Sequence, residues 1–118
     1  MIIKVYGIKN CNTMKKTFNF LESEEIGYVF KDYKKASPSE EFLNRVIEKK
    51  GLSSVVNKKG TTYKKLSDDE KLQLEDVNTA LPLLIEKSSM IKRPILESEQ
   101  GEFVLGYEED QIRVLISK

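Results

Sequence analysis

Gly7-Ile8-Lys9-Asn10-Cys11-Asn12-Thr13-Met14-Lys15-Lys16 is the stretch whose reading decides the fold. An apolar run, Ile2, Ile3, Val5 and Tyr6, precedes it and reads as a buried strand from about Ile2 to Tyr6. Met14, Phe18 and Leu21 follow at i, i+4 and i+7, the apolar stripe of an amphipathic helix. The single cysteine of the chain therefore falls on the turn from a first strand into a first helix. Backbone N–H groups in the first turn of a helix lack carbonyl partners, and with the helix dipole they favour negative charge. A thiolate there is stabilised, and the thiolate is the reactive form of cysteine. Lys9, Lys15 and Lys16 add positive charge nearby. Although a lone cysteine is most often a small apolar residue, this setting makes Cys11 a candidate nucleophile with a lowered pKa.

Working outward, the first helix runs from about Asn12 to Glu24 and should stop near Gly27. Tyr28-Val29-Phe30 reads as a second strand, fading into Lys31-Asp32-Tyr33. Ser37-Pro38-Ser39-Glu40 predicts a helix start with Ser37 as cap, Pro38 in the first position and Glu40 completing a capping box. Phe42, Leu43, Val46 and Ile47 form its apolar face, and Gly51 ends it. Asn57 to Thr62 is polar and basic and reads as a loop. Ser67-Asp68-Asp69-Glu70 repeats the capping-box pattern. A further helix lies within Asp76 to Lys87, with a start near Thr79 that leaves Pro82 in the first turn. Ile95-Leu96-Glu97 and Phe103-Val104-Leu105 flank a hairpin turn. A last helix begins at about Glu108, with Ile112, Leu115 and Ile116 facing inward. The pattern is a mixed α/β domain.

Composition narrows the chemistry. The chain has 118 residues, 33% charged and 39% hydrophobic, with a net charge of +1. That balance fits one soluble globular domain without a bias toward nucleic acid. No apolar run is long enough to span a bilayer, and no signal-peptide pattern opens the chain. One cysteine cannot form an internal disulfide, which points to a reducing cytoplasm. The absence of histidine excludes Ser-His and Cys-His catalytic pairs and histidine-ligated metals. No metal is implied. There is no Walker A loop and no dinucleotide glycine motif. Thr17 stands where a Cys-X5-Arg phosphatase needs arginine.

Four stretches, taken together, resemble the ArsC/Spx/YffB family of arsenate reductase-like proteins. They are Val5 to Lys16, Asn57-Lys58-Lys59-Gly60-Thr61-Thr62-Tyr63-Lys64-Lys65-Leu66, Ile91-Lys92-Arg93-Pro94-Ile95-Leu96, and Val104-Leu105-Gly106-Tyr107-Glu108-Glu109-Asp110. The Gly-Ile-Lys-Asn-Cys and Lys-Gly-Thr-Thr pieces are closest to the YffB-like branch of glutathione-dependent thiol reductases. The resemblance implies a thioredoxin-like fold over 1–118, with a helical insertion at about 37–90 between the second and third strands. It implies Cys11 as nucleophile. It also implies that Arg93 lies beside Cys11 and binds an oxyanion or a glutathione carboxylate, with Pro94 in the cis form. Arginine's planar fork suits such anions better than lysine. Lys59 aligns with a substrate-binding arginine of the arsenate reductases, and Asn10, Thr13 and Lys15 complete the candidate substrate-binding set.

The departures from that family also carry information. Gly7 stands where the arsenate reductases have a histidine, Lys59 has no fork, and the Gly101 to Leu105 hairpin holds no match for their third arginine. The expected reaction is therefore a thiol–disulfide or glutathione-linked reduction of a small disulfide or anionic substrate rather than arsenate reduction. Met14 occupies the position of a second cysteine, so Cys11 works as a monothiol and a second thiol comes from outside. Glutathione or a glutaredoxin is that partner, and glutathione the reductant, with no bound cofactor. The alternative is an Spx-like regulator that binds RNA polymerase without turnover, which the tail from Leu105 to Arg113 also resembles. Neither reading involves direct contact with nucleic acid or membrane.

Overall fold

The computed structural model describes residues 2–117. Its backbone forms two compact units, one built from residues 2–33 and 93–117, the other from Lys34–Lys92.

The first unit is a four-stranded sheet with two helices. β1 (Ile2–Gly7), β2 (Gly27–Asp32), β3 (Ile95–Glu97) and β4 (Phe103–Leu105) lie in the order β2-β1-β3-β4. β1 pairs parallel with β2 and antiparallel with β3, and β3 pairs antiparallel with β4. The parallel β1–β2 pair needs a crossover connection, which α1 (Asn12–Ser23) supplies. The sheet register puts Phe30, Val5, Leu96 and Val104 in one row across the four strands. Val5, Leu96 and Val104 belong to a buried cluster with Ile3, with Met14, Phe20 and Leu21 of α1, and with Ile112 and Leu115 of α7 (Glu109–Ile116), and the partly buried Phe30 packs against it. One face of the sheet is thus covered by α1 and α7, and the period-2 and period-3.6 patterns meet in a single apolar layer. Ile116 is only partly buried at its margin.

The second unit is helical. It contains α2 (Glu40–Lys50), α3 (Leu52–Val55), α4 (Thr61–Lys64), α5 (Asp68–Gln73) and α6 (Val77–Glu86), followed by a 3-10 turn at Ser88–Met90. An isolated antiparallel bridge joins Val56, in the middle of this segment, to Ile91 near its end. Phe42, Leu43, Val46 and Ile47 are buried on α2, as its periodicity requires. Gly51 ends that helix at φ +88°, a conformation that glycine adopts without a Cβ penalty. The Ser67 capping box is present: Glu70 N–H donates to the Ser67 hydroxyl and Ser67 N–H donates to the Glu70 carboxylate.

Four sequence expectations about boundaries are corrected. The cap of α2 is Ser39, whose hydroxyl accepts from Phe42 N–H, not Ser37. Pro38 is therefore outside the helix, and Phe42 occupies the position a capping-box glutamate would need. α4 begins within the stretch read as loop, at Thr61. α6 starts at Val77, capped by Asp76, so Pro82 lies in the helix interior. Proline there forfeits one backbone hydrogen bond at a cost of about 3 kcal/mol. Burial of Ala80, Leu81, Leu83 and Leu84 offsets that cost.

The fourth correction concerns the end of α1. The helix stops before Gly27, because Glu25 itself takes the left-handed conformation at φ 58°. Ile26 N–H then donates to Leu21 O at 2.8 Å and Glu25 N–H to Glu22 O at 3.1 Å, closing the helix, while Gly27 is already in β2. A left-handed non-glycine residue costs about 1–2 kcal/mol, partly offset by the lower backbone entropy loss of glutamate relative to glycine. Glu25→Gly is expected to stabilise the protein by roughly 0.5–1 kcal/mol, read as a raised urea midpoint. A lowered midpoint would show that the Glu25 side chain contributes more than its backbone costs.

Candidate active site

Cys11 is the N-cap residue of α1, with extended backbone at φ −146° and ψ 132°. Its carbonyl accepts from Lys15 N–H at 3.0 Å, the first bond of the helix, and its own N–H donates to Lys9 O at 3.2 Å. The thiol makes no cap hydrogen bond of ordinary geometry. Its sulfur nonetheless faces the first-turn N–H groups, and these act on its ionised form. Partial burial raises the pKa, but the backbone N–H of Met14, the Arg93 side chain, the Thr13 N–H and the Arg93 charge together lower it below that of an ordinary thiol. Arg93 supplies the cationic part of this effect; Lys9, Lys15 and Lys16 are exposed. The reason lies in the local chain path. β1 ends at Gly7, the chain bends at Lys9 and Asn10, and the extended Cys11 comes one residue before the helix begins, so the sulfur sits over donors with no carbonyl to meet.

Arg93 reaches this place from the far end of the first unit. It is half-buried, and the Arg93–Pro94 peptide bond is cis. Pro94 is buried, and its carbonyl accepts from Gly106 N–H at 2.7 Å, which ties the segment to the turn after β4.

Gly7 explains how Arg93 and the helix can approach β1 so closely. A Cβ at Gly7 would stand 2.6 Å from Met14 Sδ, 2.8 Å from Met14 Cε and 3.4 Å from Arg93 Cβ. Met14 is fully buried. The residue that replaces a second cysteine thus fills the space that a side chain at position 7 would need. The departure of Gly7 from the arsenate reductase pattern and that of Met14 from a Cys-X-X-Cys switch belong to one packing arrangement.

The other candidates are distributed as follows. Thr13 is half-buried and contributes its backbone N–H to the sulfur; its carbonyl accepts from the buried Thr17 hydroxyl at 2.9 Å. Asn10, next to Cys11 in the chain, and Lys15, one helical turn after it, are exposed. Lys59 belongs to the second unit, where it is exposed and its N–H donates to Asn57 Oδ1 at 3.3 Å. The structure therefore brings Cys11, Thr13, Met14 and Arg93 together within the first unit. Sequence reasoning missed Gly7 as a packing position. Among the described residues, no group of histidine, cysteine or carboxylate side chains could hold a metal ion.

A βαβ start and an antiparallel hairpin, with a cysteine capping the first helix beside a cis-proline segment, define a thioredoxin-like fold. The ArsC family profile matches residues 6–115, and the chain belongs to the ArsC family. An uncharacterised protein of Haemophilus influenzae is 36% identical over 110 residues, 93% of this chain and 95% of that one. Regulatory protein MgsR of Bacillus subtilis is 27% identical over 117 residues, 96% of this chain and 89% of that one. The solved structure of a YffB protein superposes with a TM-score of 0.88 at 36% identity, covering 96% of this chain and 97% of that one. Among the described residues, no helix is long and apolar enough to cross a membrane.

A cysteine whose folded pKa is depressed contributes stability above its unfolded pKa, and this is lost as pH falls through the folded value. The same direction governs its reactivity. Alkylation of Cys11 by iodoacetamide is expected to show a pH midpoint below about 8.5, the value of a free thiol. Arg93→Ala should raise that midpoint, since it removes both the side-chain contact and the charge. An unmoved midpoint would leave the helix N–H groups as the sole cause of the shift.

Proposed function

We propose that this ArsC-family protein is a monothiol reductase that uses Cys11 as its nucleophile and glutathione as its reductant. The observation that carries the reading is the lowered pKa of Cys11 between the first turn of α1 and Arg93. The Cys11 thiolate attacks one sulfur of a disulfide substrate. A new S–S bond forms to Cys11, the substrate bond breaks, and the leaving thiolate takes a proton from water. The thiolate of glutathione, or of a glutaredoxin, then attacks the substrate sulfur of the mixed disulfide, a new S–S bond joins it to the substrate fragment, and the bond to Cys11 breaks to release the Cys11 thiolate. No second cysteine exists to compete for this step. Arg93 offers two parallel donors to a carboxylate or oxyanion. Asn10, Thr13 and Lys15, close to Cys11 in the chain, contribute further polar contacts to the substrate. The cytoplasm, where glutathione keeps thiols reduced, suits this chemistry.

Cys11→Ser should abolish glutathione-dependent reduction of a small disulfide while leaving the far-ultraviolet circular dichroism unchanged. Turnover that persists in the serine variant would remove Cys11 from the reaction.

A second reading is a regulator that acts by binding RNA polymerase without turnover. The 27% identity to regulatory protein MgsR across nearly the whole chain favours it. Such a protein should co-purify with RNA polymerase at low salt, and failure to do so in a pull-down with purified components would count against it.

A further inference from the structure

β2 is an edge strand. β1 is its one neighbour in the sheet, and the register between them runs unbroken from Gly27 to Asp32. Tyr33 N–H, next along the chain, donates to Gly7 O at 2.8 Å. Backbone groups alternate in direction along a strand. Val29 and Lys31 therefore bond to β1, while the N–H and C=O of Tyr28 and Phe30 point away from it. Such an edge pairs with another chain unless it is short, bulged, charged or broken by proline. β4, at the opposite edge, has three residues; β2 has six, with no bulge and no proline. Its charges, Lys31 and Asp32, stand together at one end.

The side chains along this edge are apolar on both faces. On the α1 face Phe18 stacks on Tyr28 with ring centroids 5.1 Å apart and meets Phe30 edge-on at 5.3 Å, and all three rings are only partly buried. On the other face Val29 is 44% exposed and Ile2, paired with Gly27, is 46% exposed. Among the described residues, two of the four exposed large apolar side chains thus lie at or beside this edge.

We propose that β2 is a dimer interface, pairing antiparallel with β2 of a second copy about a two-fold axis at Val29. The strand is complementary to itself in that register. Tyr28 comes opposite Phe30 of the other copy, and the two exchange the backbone hydrogen bonds that their outward-facing groups require. Aromatic meets aromatic on the α1 face. On the other face Val29 meets Val29, and Lys31 comes opposite Gly27, where its stem covers bare backbone and reaches Ile2. Moving the axis to Phe30 would set Lys31 against Val29 and Asp32 against Tyr28, and these matches would be lost.

Charge complementarity on α1 points to the same axis. Lys15, Phe18 and Glu22 lie on one side of the helix, at i, i+3 and i+7. That side faces β2, since Phe18 packs on Tyr28 and the Tyr28 hydroxyl reaches Glu22 Oε1 at 3.4 Å. Phe18 touches the residues on either side of Val29, so it stands level with the axis. The two-fold then brings the Lys15 end of one α1 to the Glu22 end of the other. The two Cys11 residues fall at opposite ends of the joined sheet, and the dimer stands whether or not Cys11 turns over.

The test is sedimentation equilibrium of the full-length protein over a concentration series, where a monomer–dimer equilibrium is expected. Val29→Lys sets like charges opposite each other and should raise the dissociation constant by about tenfold or more, with the far-ultraviolet circular dichroism unchanged. Mixing Val29→Lys with Val29→Glu copies should restore association, because opposite charges then meet. In a Cys11→Ser background, Val29→Cys leaves one thiol per chain. Opposed residues at such a position have Cα atoms about 4.5 Å apart, within disulfide range. Diamide, taking up two electrons and two protons, should therefore cross-link Val29→Cys copies and not Lys31→Cys copies. A protein that sediments as a monomer at every concentration overturns the proposal. A dimer that Val29→Lys leaves intact, or one that cross-links as readily through position 31 as through position 29, overturns it too, by placing the contact on another surface or in another register.

Discussion

The sulfur of Cys11 stands over the first turn of α1, where Thr13 and Met14 present N–H groups that no carbonyl of the helix can satisfy. Every helix has such donors, and most proteins meet them with a serine, threonine or aspartate oxygen. Here a thiol occupies that position. Being a poor acceptor when neutral and a charged one when ionised, it couples helix capping to its own ionisation. The rest of the first unit maintains that arrangement. β1 delivers the chain to the turn, the apolar face of α1 fixes the helix against the sheet, and the segment at Pro94 brings a guanidinium to the same sulfur.

Close approach is the second constraint, and it falls on Gly7. The end of β1, the start of α1 and the Arg93 segment converge at this residue, with no room for a side chain beyond hydrogen. Met14, fully buried against it, makes the convergence dry and apolar on the helix side. Position 14 is therefore taken up by packing, and the sequence holds no second thiol. On the other face of the sheet, buried Ile95 and Phe103 lie beside polar side chains. Tyr6 and Glu97 are paired, and the buried Tyr33 hydroxyl has no hydrogen-bond partner. One end of a small sheet thus carries a nucleophile and a cation on adjacent segments.

Elements with strong local codes were legible in the chain. β1 and α1 follow from the switch from an apolar run to a 3.6-residue period, the β3–β4 hairpin from its flanking apolar triplets, and the Ser67 box from its spacing. The errors have a common origin. Glu25 adopts the left-handed conformation that sequence reasoning reserves for Gly27, because the bond from Ile26 to Leu21 closes the helix where the packing needs it to end. Pro82 is tolerated inside α6 because four of its neighbours are buried, which outweighs one lost backbone hydrogen bond. Ser39 rather than Ser37 caps α2 because the chain turns at Ser39, and two serines two residues apart are locally indistinguishable. In each case the path of the folded chain, set at Glu25 and Ser39 by contacts within five residues and at Pro82 by burial, overrode the local signal.

The sequence by itself determined that Cys11 would meet a helix N-terminus, since strand, turn and helix are neighbours in the chain and their signals are local. It also established that no second thiol and no histidine accompany that cysteine. Only the tertiary structure decided that Arg93, eighty-two positions along, would bring its guanidinium to that sulfur, that Gly7 had to be bare, and that Tyr33 would be buried with its hydroxyl unpaired. Those outcomes depend on the sheet order β2-β1-β3-β4, which sets the start of β3 beside the end of β1. Strand order is fixed by burial summed over the whole layer, and no short stretch of sequence contains that sum.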